Sequence, residues 1–170
     1  ASSYRADINS EFVLWEDREK SNFAKNQYIC LGGAGLVSTA LDYFNFAQML
    51  LDGGKFKKER LLSRKTIDFM TSNHLYGGKF LSDMALSGKW TETTFDGVGF
   101  GLGFSVVMDT ISHQVPGSNG TYAWGGALNT AFWIDPIEQI VVVFMTQLYP
   151  SDRYPIRREL QVLVNSALNI

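Results

Sequence analysis

Two adjacent glycines, Gly125 and Gly126, interrupt an otherwise strand-forming run over residues 122–136. The run opens with Tyr-Ala-Trp and resumes with Phe132-Trp-Ile, so strong β-formers flank two residues that have no side chain to pack. Glycine weakens a strand. A pair within one marks a bulge, or a place where another backbone or a ligand approaches closely. The first alternative is a bulge at a sheet edge, with no further meaning. Either way, this segment commits the chain to a sheet whose regular packing is interrupted at the glycines.

The rest of the chain supplies helices to cover such a sheet. Residues 1–26 are polar and aromatic without clear periodicity and read as loops around one short strand. Residues 27–96 read as mainly helical. A strand over residues 28–31 leads into glycines at 32, 33 and 35, then a helix that Thr39 caps with Asp42 three positions on. Ala40, Phe44, Ala47 and Leu51 form its expected apolar stripe, with Tyr43 and Leu50 beside it, and Gly53-Gly54 ends it. A second helix begins at Ser63, stapled by Leu62 and Ile67 and extended by Met70. Residues 71–96 read as a loop.

Residues 97–147 read as antiparallel strands. Phe100, Leu102, Phe104, Val106 and Met108 alternate with mostly small residues from Gly99 to Val107, which predicts one strand with a bare side against which something packs closely. Asp135-Pro136 turns into residues 140–145, an apolar run expected to be central and buried on both faces. Residues 152–169 form a terminal amphipathic helix, with Ile156, Leu160, Leu163, Val164 and Ala167 on its apolar stripe. The fold class is α+β: an antiparallel sheet flanked by helices, ending in a strand hairpin and an amphipathic helix, within a single region of 170 residues.

Composition excludes several functions. Lys+Arg of 15 against Asp+Glu of 17 leaves a net charge of -2, and no basic cluster is dense enough to follow a nucleic acid backbone. Residues 55–60 read as a solvated basic turn. No apolar run is long enough for a membrane span. Cys30, the one cysteine, reads as a small buried hydrophobe. His74 and His113 are isolated and read as surface or loop residues, without metal-ligand spacing. Gly33-Ala-Gly35-Leu-Val-Ser38 resembles a dinucleotide fingerprint, but Ser38 replaces the third glycine and no second parallel strand follows, so nucleotide binding is a remote alternative. Neither a metal nor an organic cofactor is expected. Asn119-Gly120-Thr121 matches a glycosylation sequon by pattern only.

Five blocks carry a family resemblance. They are Gly32-Gly-Ala-Gly-Leu-Val-Ser-Thr-Ala-Leu-Asp-Tyr43 with Phe46-Ala-Gln-Met-Leu-Leu-Asp-Gly-Gly54 and Leu61-Leu-Ser63; Gly99-Phe-Gly-Leu-Gly-Phe-Ser105; Trp124-Gly-Gly-Ala127; Phe132-Trp-Ile-Asp-Pro136; and Val143-Phe-Met-Thr-Gln147. Together they resemble the C-terminal half of the class C β-lactamase-like superfamily, which comprises serine β-lactamases, D-alanyl-D-alanine carboxypeptidases and carboxylesterases. The resemblance implies an acyl-serine mechanism. A Ser-x-x-Lys serine attacks, its lysine and a Tyr-x-Asn tyrosine handle protons, and an edge strand, usually Lys-Thr-Gly, lines the site. It also implies a periplasmic or secreted parent protein.

No Ser-x-x-Lys occurs in these 170 residues. The resemblance places it and the tyrosine motif before residue 1. The chain is then a fragment or processed half, one chain of a split enzyme, or a non-catalytic interaction module. The first two imply, as partner, the missing N-terminal half or a complementary chain; self-association is the other expectation. In the third motif Trp124 stands in place of the lysine, followed by Gly125 and Gly126, and the Ala127 N–H is implied as one oxyanion donor. An indole cannot pair with a substrate carboxylate, as the lysine would, but stacks on apolar groups. This favours a small ester over a β-lactam.

Overall fold

A computed structural model describes residues 1–7, 11–25, 32–33, 35–85 and 96–168. The expected strand over residues 28–31, with Cys30, lies outside these.

Where the sequence supplies local signals, the chain follows them. After β1 (Ser3–Ala6) and β2 (Phe12–Glu16), helix α1 runs Ala40–Leu51. Thr39 caps it: the Asp42 N–H donates to Thr39 Oγ1 at 3.1 Å, and the hydroxyl donates back to Asp42 Oδ2 at 2.8 Å. Gly53 and Gly54, both at positive φ, end it. A hairpin of β3 (Lys55–Phe56) and β4 (Glu59–Arg60) forms the basic turn, and Arg60 Nη1 donates to the carbonyls of Gly53 and Leu62. Ser63 caps α2 (Arg64–Met70) by accepting from the Thr66 N–H at 3.0 Å. A short helix α3 (Leu81–Met84) lies in what reads from sequence as a loop.

The second half builds the main sheet: β5 (Val98–Phe100), β6 (Ser105–Val107), a one-turn helix α4 (Thr110–His113), β7 (Tyr122–Gly125), β8 (Ala131–Asp135) and β9 (Ile140–Phe144). These five strands pair in chain order, all antiparallel. Then β10 (Leu148–Tyr149) joins β1 in parallel, making a separate three-stranded sheet with β2, and α5 spans Ile156–Ser166. One core is shared by α1, α2 and one face of the main sheet: Ala47, Met49, Leu50 and Ile67 meet Phe104, Val106, Tyr122, Phe132 and Ile134.

Several expectations from sequence are corrected. The single strand expected from Gly99 to Val107 is a hairpin, β5 and β6. Period-two alternation continues through its turn, where Gly103 takes φ +97. Its bare side is filled from within the chain, because a Cβ on Gly99 would overlap the Asn73 side chain and one on Gly101 the Met70 carbonyl. Helix α1 is rotated from the expected stripe: Tyr43, Ala47 and Leu50 face inward while Ala40 is exposed, since the sheet lies on that side. The run 140–145 is not central. Its strand β9 borders the described sheet and is half-buried, with Val141 and Val143 against the core. Helix α5 begins after Pro155. Leu163 and Ala167 point outward because the inward face passes through Arg157, Gln161, Val164 and Asn165.

Candidate active site

Strand β7 brings the Trp-Gly-Gly segment to an opening in the main sheet. Its neighbour β6 pairs only with Tyr122 and Ala123, whereas β8 pairs with all four residues, Trp124 opposite Phe132 and Gly125 opposite Ala131. From Trp124 onward, then, β7 has a strand on one side only among the described residues. The expected edge strand is an interior strand whose second half is left unpaired on one side by the shortness of β6.

Beyond Gly125 the chain makes a tight turn back into β8. The Gly126 N–H donates to the Thr130 carbonyl at 3.0 Å and the Asn129 N–H to the Gly126 carbonyl at 2.9 Å. Asn129 is fully buried in the left-handed region, at φ +66, which asparagine tolerates better than most residues. The turn is held from outside as well, by the Leu148 N–H donating to the Leu128 carbonyl at 3.0 Å. A Cβ on Gly126 would meet Thr130 Oγ1 at 2.5 Å, so any larger residue here must displace the Thr130 side chain. From sequence, the glycine pair is expected at a bulge or where a ligand approaches; the contact with Thr130 is a reason that lies within the turn itself.

Ala127 sits at the outer corner of this turn and is exposed. Among the described residues, no backbone acceptor takes its N–H. Trp124 is half-buried, its indole edge-to-face with Phe100 at a centroid separation of 5.1 Å. The four site residues expected from sequence thus fall together at one end of β7 and the turn after it.

The side chains around them are poor proton carriers. Tyr122 is buried, and burial drives its hydroxyl far above its ordinary pKa of 10.0, so it stays a neutral phenol. Tyr43-Phe44-Asn45 matches Tyr-x-Asn by letters, but Tyr43 lies within α1 against Phe46 and Phe132, its pKa raised by burial. It is a core aromatic. His113 is buried at the end of α4 instead of lying on the surface, and burial with the nearby Arg158 cation lowers its pKa from 6.5. His74 is exposed, with Nε2 2.7 Å from the Phe69 carbonyl oxygen. Among the described residues no group of three or more His, Cys, Asp or Glu is placed to hold a metal, and no helix is long and apolar enough to cross a membrane.

Sequence reasoning missed one contributor. Arg157, at the start of α5, reaches across 31 positions to donate from Nη2 to the Gly126 carbonyl at 2.6 Å. Burial lowers its pKa from the ordinary arginine value, but a guanidinium remains a cation under all ordinary conditions. A cleft of about 300 Å³ lies between the main sheet and α5, bordered by Trp124, Gly125, Trp133, Tyr154, Arg157 and Arg158.

A family model described as Beta-lactamase matches residues 3–166. The chain belongs to the beta-lactamase family. Curated relatives include Protein Rv1367c and Uncharacterized protein MT1414, from two strains of Mycobacterium tuberculosis. Each is 33% identical over 125 residues, covering 72% of this chain and 30% of the relative. The chain therefore matches less than a third of the length of these relatives. Among solved structures, EstCE1, described as a hydrolase with promiscuous acyltransferase activity, superposes with a TM-score of 0.72 at 28% identity, over 95% of this chain and 43% of that one. Simvastatin Synthase (LovD) from Aspergillus terreus gives 0.71 at 21% identity, over 95% and 40%, which shows the shared fold. The mixed α+β architecture is that of beta-lactamase-like serine hydrolases and acyltransferases.

Proposed function

We propose that this chain is the C-terminal half of a carboxylesterase of acyl-serine chemistry, whose nucleophile, lysine and tyrosine come from sequence before residue 1. The observation that carries the reading is the N–H of exposed Ala127, a backbone donor without a backbone acceptor among the described residues, in the turn after β7. An unclaimed donor at a strand opening is what an oxyanion hole needs before substrate arrives. Trp124, in the position of the lysine of the third motif, offers an aromatic surface to an apolar ester instead of a cation to a carboxylate. EstCE1, a hydrolase with acyltransferase activity, supports acyl transfer as the reaction class.

In this scheme the serine oxygen forms a bond to the ester carbonyl carbon, and the serine proton passes to the upstream base. The Ala127 N–H and the serine's own N–H hold the oxyanion. The carbon–alkoxy bond then breaks and the leaving oxygen takes the proton, giving an alcohol and an acyl-serine. Water repeats the sequence, releasing the carboxylic acid and the free serine. Trp124, Gly125 and Gly126 line the acyl group along β7.

The lack of Ser-x-x-Lys in 170 residues also suits a second reading, a non-catalytic interaction module. Full-length protein separates the two. Labelling by a fluorophosphonate probe together with hydrolysis of a short nitrophenyl ester supports the esterase; a folded full-length protein inert to both leaves the module.

A further inference from the structure

The peptide unit between Gly126 and Ala127 carries both the carbonyl that Arg157 binds and the N–H proposed as an oxyanion donor. Among the described residues only the peptide before Pro150 is cis, so this unit is planar and trans. Its C=O and N–H therefore point in opposite directions from one rigid plane. Whatever fixes the carbonyl aims the N–H.

Two donors fix it. Asn129 N–H supplies a neutral bond at 2.9 Å from inside the turn, and Arg157 Nη2 a charge-assisted one at 2.6 Å from α5. Bonds from ionised donors are shorter and roughly twice as strong as neutral ones. The guanidinium also draws electron density toward the carbonyl oxygen, which makes the N–H at the other end of the amide a better donor. No other described side chain holds this carbonyl.

From this geometry we infer that Arg157 is a positioning residue for acyl transfer: it sets the direction and donor strength of the Ala127 N–H from the opposite side of the peptide plane. This rests on the reading of that N–H as an oxyanion donor. The residue acts through this peptide unit. Its effect belongs to the transition state, where the oxyanion exists, and not to ground-state binding.

The test uses full-length protein, with Arg157→Met, Arg157→Lys and Ala127→Pro, the last removing the N–H itself. With a short nitrophenyl ester, Arg157→Met is expected to lower kcat by about 10- to 100-fold, less than the loss of a whole donor. KM should stay within about threefold, the signature of an interaction made only in the transition state. Arg157→Lys, which keeps the cation but not the fork, should lie between. In ¹⁵N-alanine-labelled protein, the Ala127 amide cross-peak should move in both arginine variants. A folded Arg157→Met protein with kcat within about twofold of the parent overturns the inference, as does an unmoved Ala127 cross-peak. If the methionine variant does not fold, the lysine variant decides on the same two readouts. Ala127→Pro separates the levels. If it leaves turnover intact, the oxyanion reading itself fails; if it abolishes turnover while both arginine variants are unaffected, only the role of Arg157 falls.

Discussion

The Trp124 indole meets the Phe100 ring edge-to-face, with centroids 5.1 Å apart, so the residue expected to choose the substrate also ties β7 to the β5–β6 hairpin. Aromatic pairs in this geometry contribute beyond the area they bury. A specificity change at Trp124 therefore cannot be free of a stability change.

Trp124→Lys should destabilise the fold by about 1–3 kcal/mol, less than deletion of a fully buried aromatic because the ring is half-buried. In full-length protein it should also weaken turnover of apolar esters relative to carboxylate-bearing ones, having exchanged a stacking surface for a cation. Trp124→Phe should keep most of both. Thermal melts beside kcat/KM for one apolar and one anionic ester check this; an unchanged ester preference in Trp124→Lys would remove Trp124 from the substrate site.

Gly126 has a packing role that can be isolated. Gly126→Ala places a methyl 2.5 Å from Thr130 Oγ1 and should cost about 1–3 kcal/mol as an overpacked turn. Thr130→Ala should relieve most of that cost in the double variant, because the next nearest atom, Thr130 Cβ, is 3.9 Å away. A double-mutant cycle by urea denaturation measures the coupling. Additive single effects would mean that the glycine is there for another reason.

Buried His113 should make stability pH-dependent. Its pKa is below 6.5 in the fold and near that ordinary value when unfolded, so the unfolded state binds more protons between the two. The stabilisation is complete above about pH 6.5 and is lost as pH falls below it toward the depressed folded value. His113→Gln should flatten the melting temperature against pH in that range. Asp109, which caps α4, has its carboxyl lowered by the Ser112 hydroxyl and the Ile111 N–H, so its contribution disappears only at lower, carboxylate pH. A slope that survives His113→Gln would assign the effect elsewhere.

These features were not equally legible. The caps Thr39 and Ser63, the Gly53-Gly54 stop and the Asp135 turn are interactions over two to four positions, and residue type alone encodes them. The hairpin of β5 and β6 was hidden because alternation continues through Gly101 and Gly103 as though the strand did. His113 read as a surface residue because a four-residue helix has no measurable period. In the site, β7 carries its own signal in the glycine pair. Arg157 carries none: a polar residue on the inward face of α5 looks like a lapse in amphipathicity until the carbonyl it holds is seen.

The isolated chain should be inert and adhesive. Phe12, Leu14 and Trp15 are exposed along β2, Phe12 against Tyr154 and Trp15 against Tyr149, so apolar side chains stand out on both faces of the small sheet. Patches of this kind mark interfaces. The 170-residue chain should bind a hydrophobic dye, self-associate in sedimentation, and show no serine labelling by a fluorophosphonate probe. A monodisperse monomer that ignores the dye contradicts the first two outcomes, and stoichiometric labelling contradicts the third.

The parallel pairing of β1 with β10 also fixes an order of events. Tyr4 aligns with Leu148, and the Ser3 hydroxyl donates to Gln147 across 144 positions, a closure that nothing local can prepare. Helices α1 and α2 and the consecutive hairpins of the main sheet need only short loops, so they assemble first. The Leu128 carbonyl waits for Leu148, and the Gly126 carbonyl for Arg157 nine positions later. The turn that presents Ala127 is therefore completed after the local hairpins, by contacts that β10 and α5 bring back to it.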